Sequence, residues 1–178
     1  MQLMLLTLLD GTLVFVRPIT PEDKPLLVEG LRRISPETAM RRFLSPKTRF
    51  TERELRYLTE VDQHDHIALV AVDADHPSRL IAVARCVRVA PDTADIAVVV
   101  GDPWQGLGLG RRLADEVARR ARAVGVERIA GTMLADNRAA FRIMRGFGWP
   151  FEHDVLSGGV RDVVAVLKPA PAAPIPLM

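Results

Sequence analysis

Gln105-Gly106-Leu107-Gly108-Leu109-Gly110 is the stretch that decides the fold. An apolar run, Ile-Ala-Val-Val-Val at residues 96–100, precedes it, and an arginine-rich amphipathic segment follows. Glycines at alternate positions remove the side chains that hold a ligand off the backbone. Glycine also accepts the dihedrals that turn successive N–H groups toward one point. The segment after the loop has helical periodicity, so its unsatisfied N-terminal N–H groups and positive dipole end face the same point. Strand, glycine turn and helix N-terminus make an anion cradle, whose natural guest is a pyrophosphate-bearing cofactor.

Working outward, residues 108–124 are the clearest helix. Leu109, Leu113, Val117, Ala121 and Val124 recur every three to four positions, and charged residues, mostly arginines, fill the opposite face. Gly125 is placed to end it. Upstream, residues 67–72, 80–89 and 95–100 read as strands, linked by Asp75-His76-Pro77-Ser78 and Pro91-Asp92-Thr93. Short links of this kind predict an antiparallel meander. Downstream, residues 127–134 read as a strand. Asn137 then caps a helix that buries Ala140, Phe141, Met144 and Phe147. Residues 151–156 and 160–167 form a hairpin around Ser157-Gly158-Gly159.

The N-terminal third begins with a hairpin at Asp10-Gly11. Thr20-Pro21-Glu22-Asp23 starts a helix to about residue 33, with Thr20 as cap and Pro21 at the first helical position. Ser35-Pro36-Glu37 starts a shorter one ending near Phe43, and Thr51-Glu52-Arg53-Glu54 is a capping box for a third ending near Thr59. The whole is one domain over residues 1–168, followed by a flexible Pro/Ala-rich tail at 169–178.

Bulk composition agrees. The chain of 178 residues is 48% hydrophobic and 26% charged, with a net charge of +2, the profile of an ordinary globular protein. It carries no dense basic block, so nucleic acid is not an expected partner. Of its 24 basic residues only Lys24, Lys47 and Lys168 are lysines. A lone cysteine, Cys86, makes no intramolecular disulfide and points to a reducing cytoplasm. Residues 1–9 lack the basic start and cleavage site of a signal peptide. They are also far short of the about 20 residues needed to cross a bilayer, so no membrane role is expected.

Three nucleotide loops compete for residues 105–110. A Walker loop needs Lys-Ser/Thr after its last glycine, and this chain has Arg111-Arg112. A dinucleotide fingerprint needs Gly-x-Gly-x-x-Gly inside a βαβ unit, whereas these glycines are spaced two and two after a meander. The acyl-CoA loop, Gln/Arg-x-x-Gly-x-Gly/Ala, is met in order by Gln105, Gly108 and Gly110. Here the chain resembles the GNAT superfamily of N-acetyltransferases. Asn137, opening Asn-Arg-Ala-Ala-Phe-Arg-Ile-Met-Arg-Gly-Phe-Gly-Trp, looks like that family's second motif. Leu31-Arg32-Arg33-Ile34-Ser35-Pro36-Glu37-Thr38, Arg41-Arg42-Phe43 and Leu58-Thr59-Glu60-Val61-Asp62 are similar to bacterial protein-lysine acetyltransferases. In some of those the catalytic domain is joined to a nucleotide-binding or ligase-like domain, and no such segment is read here.

The resemblance implies a mixed α/β (α+β) fold, with a mostly antiparallel sheet of six to seven strands, flanked by helices and splayed at the cofactor-binding strand. It implies acetyl-CoA as cofactor. Val98, Val99 and Val100 would pair with the pantetheine arm like an added strand. Amides of Gln105, Gly106, Leu107, Gly108, Leu109, Gly110 and Arg111 would hold the pyrophosphate, and Asn137 would bond the pantetheine or cofactor backbone. A backbone N–H near Val99 or Val100 would stabilise the oxyanion. The implied reaction is direct attack of a primary amine on the thioester, with a protein lysine or a small-molecule amine or antibiotic as acceptor. The enzyme is expected as a monomer or homodimer.

An amine of pKa near 10.4 must lose a proton before it attacks. Asp95 is the candidate base, at the start of the cofactor strand where similar enzymes often carry Glu. Asp62 and Asp65 are placed to border the acceptor groove. Many relatives use a Tyr in the second motif to protonate the thiolate, where this chain has Met144. Its only tyrosine is Tyr57. His64 and His66 flank Asp65 without a third metal ligand at a suitable spacing, so no metal is expected. Trp104 is read as a packing residue that fixes the turn, and Cys86 as a buried thiol without an activating partner. A non-catalytic acyl-CoA sensor and a dinucleotide-dependent oxidoreductase are the readings from other classes.

Overall fold

A computed structural model describes residues 3–146 and 148–167. Phe147 and the tail at 169–178 lie outside the described residues. In chain order the elements are β1 (Met4–Thr7), β2 (Leu13–Pro18), α1 (Lys24–Arg33), α2 (Pro36–Phe43), α3 (Glu52–Thr59), β3 (His66–Asp73), β4 (Leu80–Ala90), β5 (Thr93–Val100), α4 (Leu109–Ala123), β6 (Arg128–Leu134), α5 (Arg138–Gly146), β7 (Phe151–Ser157) and β8 (Val160–Val166).

All the strands join one sheet of eight, ordered β1-β2-β3-β4-β5-β6-β8-β7. This exceeds the expected six to seven because the hairpins at both ends of the chain extend the central sheet through their inner strands. The run from β1 to β5 is the expected antiparallel meander, and only β5 and β6 pair in parallel. The parallel step follows from the α4 crossover, since a helix between two strands returns the chain in its original direction.

Strand registers divide the side chains between two cores. On one face α4 lays Leu109, Leu113 and Val117 against Ile81, Ala84, Ile129 and Val163, and Met144 of α5 joins them. Burying each of those large α4 side chains contributes about 1.5–3 kcal/mol. On the other face Leu27 of α1 and Leu55 of α3 cover Ala68, Val70 and Val83. α2 lies over β5 and β6.

The helix starts follow their caps. Ser35 Oγ accepts from the Thr38 N–H at 3.1 Å, and Thr51 Oγ1 from the Glu54 N–H at 3.2 Å. α1 starts later than its sequence signal. Pro21–Asp23 form a turn of 3-10 helix, and the α-helix opens at Lys24. Asp23, only 3% exposed, explains the tight turn. Its carboxylate reaches back to accept from the Thr20 N–H at 2.8 Å and takes both arms of Arg17 at 2.7 and 2.6 Å.

Candidate functional site

β5 and β6 pair at three positions only: Thr93 with Arg128, Ala94 with Ile129 and Asp95 with Ala130. Beyond Asp95 each strand keeps its outer neighbour, β4 or β8, and loses the other. The sheet therefore splays where the sequence requires it to. A cavity of about 450 Å³ opens between Ile96, Ala97, Val98, Val99 and Val100 on one side and Gly131, Thr132 and Met133 on the other. Such an edge offers backbone groups to an extended guest.

The glycine loop closes one end of this cavity. Gly106 and Gly108 have φ of 76° and 83°, in the left-handed region that side chains disfavour. Gly108 is also the N-cap of α4. Among the described residues, the N–H groups of Gly106, Leu107, Gly108, Leu109 and Gly110 have no hydrogen-bond acceptor. Five successive bare donors at the positive end of a helix make an anion site. The glycines and Arg111 line the cavity, while Leu109 is buried in the core and the Leu107 side chain packs against it, so those two offer backbone alone. Gly110 serves packing: a Cβ there would sit 3.4 Å from both Ile143 Cδ1 and Val100 Cγ2.

Gln105 departs from its expected role. Its own N–H donates to the Asp102 carbonyl at 3.3 Å, so the bare run starts at Gly106. Its side-chain amide donates to the Val100 carbonyl at 3.0 Å and to Thr38 Oγ1 at 3.1 Å. It braces the loop from inside and ties it to α2. Asp102, which the sequence did not single out, does the same. Its carboxylate accepts from the Ser35 N–H, Ser35 Oγ and Thr38 Oγ1, each at 2.8 Å. Burial works to raise this carboxyl, but those bonds prevail and hold it below the usual range. Trp104 packs over Gly101, where a Cβ would meet its ring at 3.0 Å.

Asn137 lines the cavity and caps α5, its Oδ1 accepting from the Ala140 N–H at 3.1 Å. Met144 is buried and also lines the cavity. Asp95 is exposed on the face of β5 opposite α4, with Ala97 and Val99. Burial of its carboxyl, then the charge of Asp162, push it above the ordinary carboxylate value. Asp162 in turn accepts from Thr132 Oγ1 at 2.7 Å on the paired strand.

Asp95 precedes the stretch of β5 that lines the cavity and is not itself in the lining, and the remaining candidates also fall outside it. Asp62 Oδ1 accepts from the N–H groups of His64, Asp65 and His66, each at 2.9 Å, and Asp65 takes Arg88 Nε at 2.7 Å. Both carboxylates hold the loop before β3 and do not border the groove. His64 faces Asp65, and His66 faces Arg85. No group of three or more metal-ligating side chains occurs among the described residues. Tyr57 meets His66 in a tilted ring contact, with centroids 5.0 Å apart. Cys86 is buried, and burial followed by the charge of Asp95 pushes its thiol up to about 12. No helix among the described residues is long and apolar enough to cross a membrane.

A model of the acetyltransferase (GNAT) family matches residues 36–149. The acetyltransferase Pat of Mycolicibacterium smegmatis is 36% identical over 140 residues, covering 78% of this chain and 41% of that protein. The chain thus spans less than half the length of that relative. In structure, the GNAT domain of S. lividans PAT superposes with a TM-score of 0.83 at 27% identity, covering 93% of this chain and 97% of that one. A cAMP-binding acyltransferase from Mycobacterium smegmatis gives 0.66 at 29% identity, covering 98% of this chain and 50% of that one.

Proposed function

The chain belongs to the GNAT acetyltransferase family, and on that premise we propose that it moves an acetyl group from acetyl-CoA directly to a primary amine, with a protein lysine as acceptor. The observation that carries this reading is the run of five bare N–H groups from Gly106 to Gly110 beside an open strand edge. The cradle suits a diphosphate, and the edge of Val98, Val99 and Val100 suits the amide-bearing pantetheine arm. When bound, acetyl-CoA supplies the acetyl group as an activated thioester.

The chain's own residues do the rest. Asp95 takes a proton from the acceptor's ammonium, directly or through a water, and the free amine attacks the thioester carbon as the thiolate leaves. Its raised pKa makes it a better base than an ordinary aspartate. A backbone N–H near Val99 or Val100 holds the oxygen on which negative charge develops. Met144 cannot donate a proton, and a thiolate of pKa near 8.5 leaves without that help. Cys86 carries no acyl group, because its thiol is buried and held protonated. The lysine assignment is supported by the likeness of residues 31–38, 41–43 and 58–62 to bacterial protein-lysine acetyltransferases.

The test is thiol release from acetyl-CoA with a lysine-containing protein, comparing wild type with Asp95→Asn. Turnover by the wild type with loss of about 10²–10⁴ in kcat in the variant is expected. Tight acetyl-CoA binding without transfer to any amine overturns the reading in favour of a sensor, and thermal stabilisation by NADH but not CoA in favour of an oxidoreductase.

A further inference from the structure

Arg85 carries its charge inside the protein. It is 5% exposed, and no carboxylate pairs with it among the described residues. Its Nη1 donates to His66 Nε2 at 2.8 Å, and both Nη atoms reach the Leu58 carbonyl at 3.4 Å. Its Nε is buried without any partner. His66 brings no countercharge. Burial, then the neighbouring guanidinium, lower its pKa to about 4, so it accepts as a neutral ring. A buried cation left uncompensated is costly. Elsewhere the same chain pairs a part-buried arginine fully, with Arg17 held two-pronged by Asp23.

A second guanidinium lies close by. Arg42 of α2 lines the cavity beside Val99 and Thr132. It touches the Phe43 ring at 4.9 Å and makes no ion pair among the described residues. Burial lowers Arg42 to about 10, and burial followed by the charge of Arg42 lowers Arg85 to about 9. Arg85 stands opposite Ala97 in the β4–β5 register, on the sheet face that carries Asp95. The same face carries Asp95 on β5 and, across β6, Asp162 on β8.

We propose that Arg42, backed by the buried charge of Arg85, forms an anion subsite for the acceptor, which carries a carboxylate a few bonds from the reacting amine. The inference rests on the lysine reading and narrows it: the target lysine adjoins an acidic residue. The guanidinium fork matches a carboxylate in two-pronged geometry. Asp95 and Asp162 attract the ammonium, and the arginines reject a peptide with basic residues around its lysine.

Two peptides that differ only in Glu or Gln beside the lysine test this. Wild type should show kcat/KM about tenfold or more higher for the Glu peptide, the usual size of a hydrogen bond to a charged group. Arg42→Gln should bring that ratio within about twofold, and Arg42→Lys should keep part of it, since charge survives without the fork. Calorimetric binding of the two acetylated peptides to CoA-loaded protein gives a readout independent of turnover, and lysine against lysinamide separates an α-carboxylate from a neighbouring side chain. Equal rates and equal binding for the two peptides, or no binding of either, overturn the subsite. Preferred binding of the Glu peptide without any transfer sinks lysine acetylation and keeps the subsite.

Discussion

Gly108→Ala and Gly125→Ala make a matched pair of perturbations at the two ends of α4. Both glycines have left-handed backbone, with φ of 83° and 89°, and a Cβ at either meets nothing within 4 Å. The folding cost is therefore conformational and alike, about 1–2 kcal/mol. For a domain of this size that lowers Tm by about 2–8 °C. Their effects on ligand should differ. Gly108 lines the cavity in the middle of the five bare N–H groups, and losing even one hydrogen bond to a charged phosphate costs about 1.5–3 kcal/mol. Acetyl-CoA should bind Gly108→Ala roughly ten- to a hundredfold more weakly than wild type. Gly125→Ala should bind it normally. Thermal melts without ligand and calorimetric titration with acetyl-CoA give both numbers. Similar melting losses with equal affinities would refute the cradle, because the two substitutions would then differ only in position.

Further outcomes follow from the charged and titrating groups. Asp95→Asn should lose activity yet melt higher than wild type at pH 7. A carboxyl raised above its ordinary value of 3.8 opposes folding once ionised, so the gain should vanish as the pH falls below that value. His66→Gln keeps an acceptor for Arg85 but cannot titrate. Wild-type stability should be full above pH 6.5 and decline as the pH falls toward 4, where His66 must stay neutral in the fold; the variant should lose less over that range in denaturant titrations. Cys86→Ala should keep kcat, and thiol alkylation of the native wild type should be negligible because its pKa is held up to about 12.

Most of the fold was legible because its signals are local. The capping box at Thr51 fixed α3, the Asp10-Gly11 pair fixed the first hairpin, and the apolar stripe from Leu109 fixed α4. The cap at Thr20 and the proline after it were legible too, but not that the first turn is 3-10, because Arg17, outside the helix, holds Asp23 there. In the site, the bare donors were legible from glycine spacing alone. The brace behind them was not. Asp102 meets Ser35 and Thr38 across more than sixty residues of chain, and no periodicity or cap rule links such positions. The same applies to Arg42 of α2, which the fold sets beside Val99 and Thr132 in the cavity wall. For Asp62 and Asp65 the sequence left a groove border and a plain loop equally open, and the hydrogen bonds of Asp62 to its own loop backbone favour the loop.

The central claim is that the amides of Gly106, Leu107, Gly108, Leu109 and Gly110 grip the diphosphate of coenzyme A. Hydrogen exchange at those amides, with and without ligand, tests it most directly. CoA should slow exchange at these positions, and pantetheine, which lacks the diphosphate, should leave them fast while protecting the edge of β5. Unchanged exchange at the loop with CoA bound, or equal protection by pantetheine, would contradict the account.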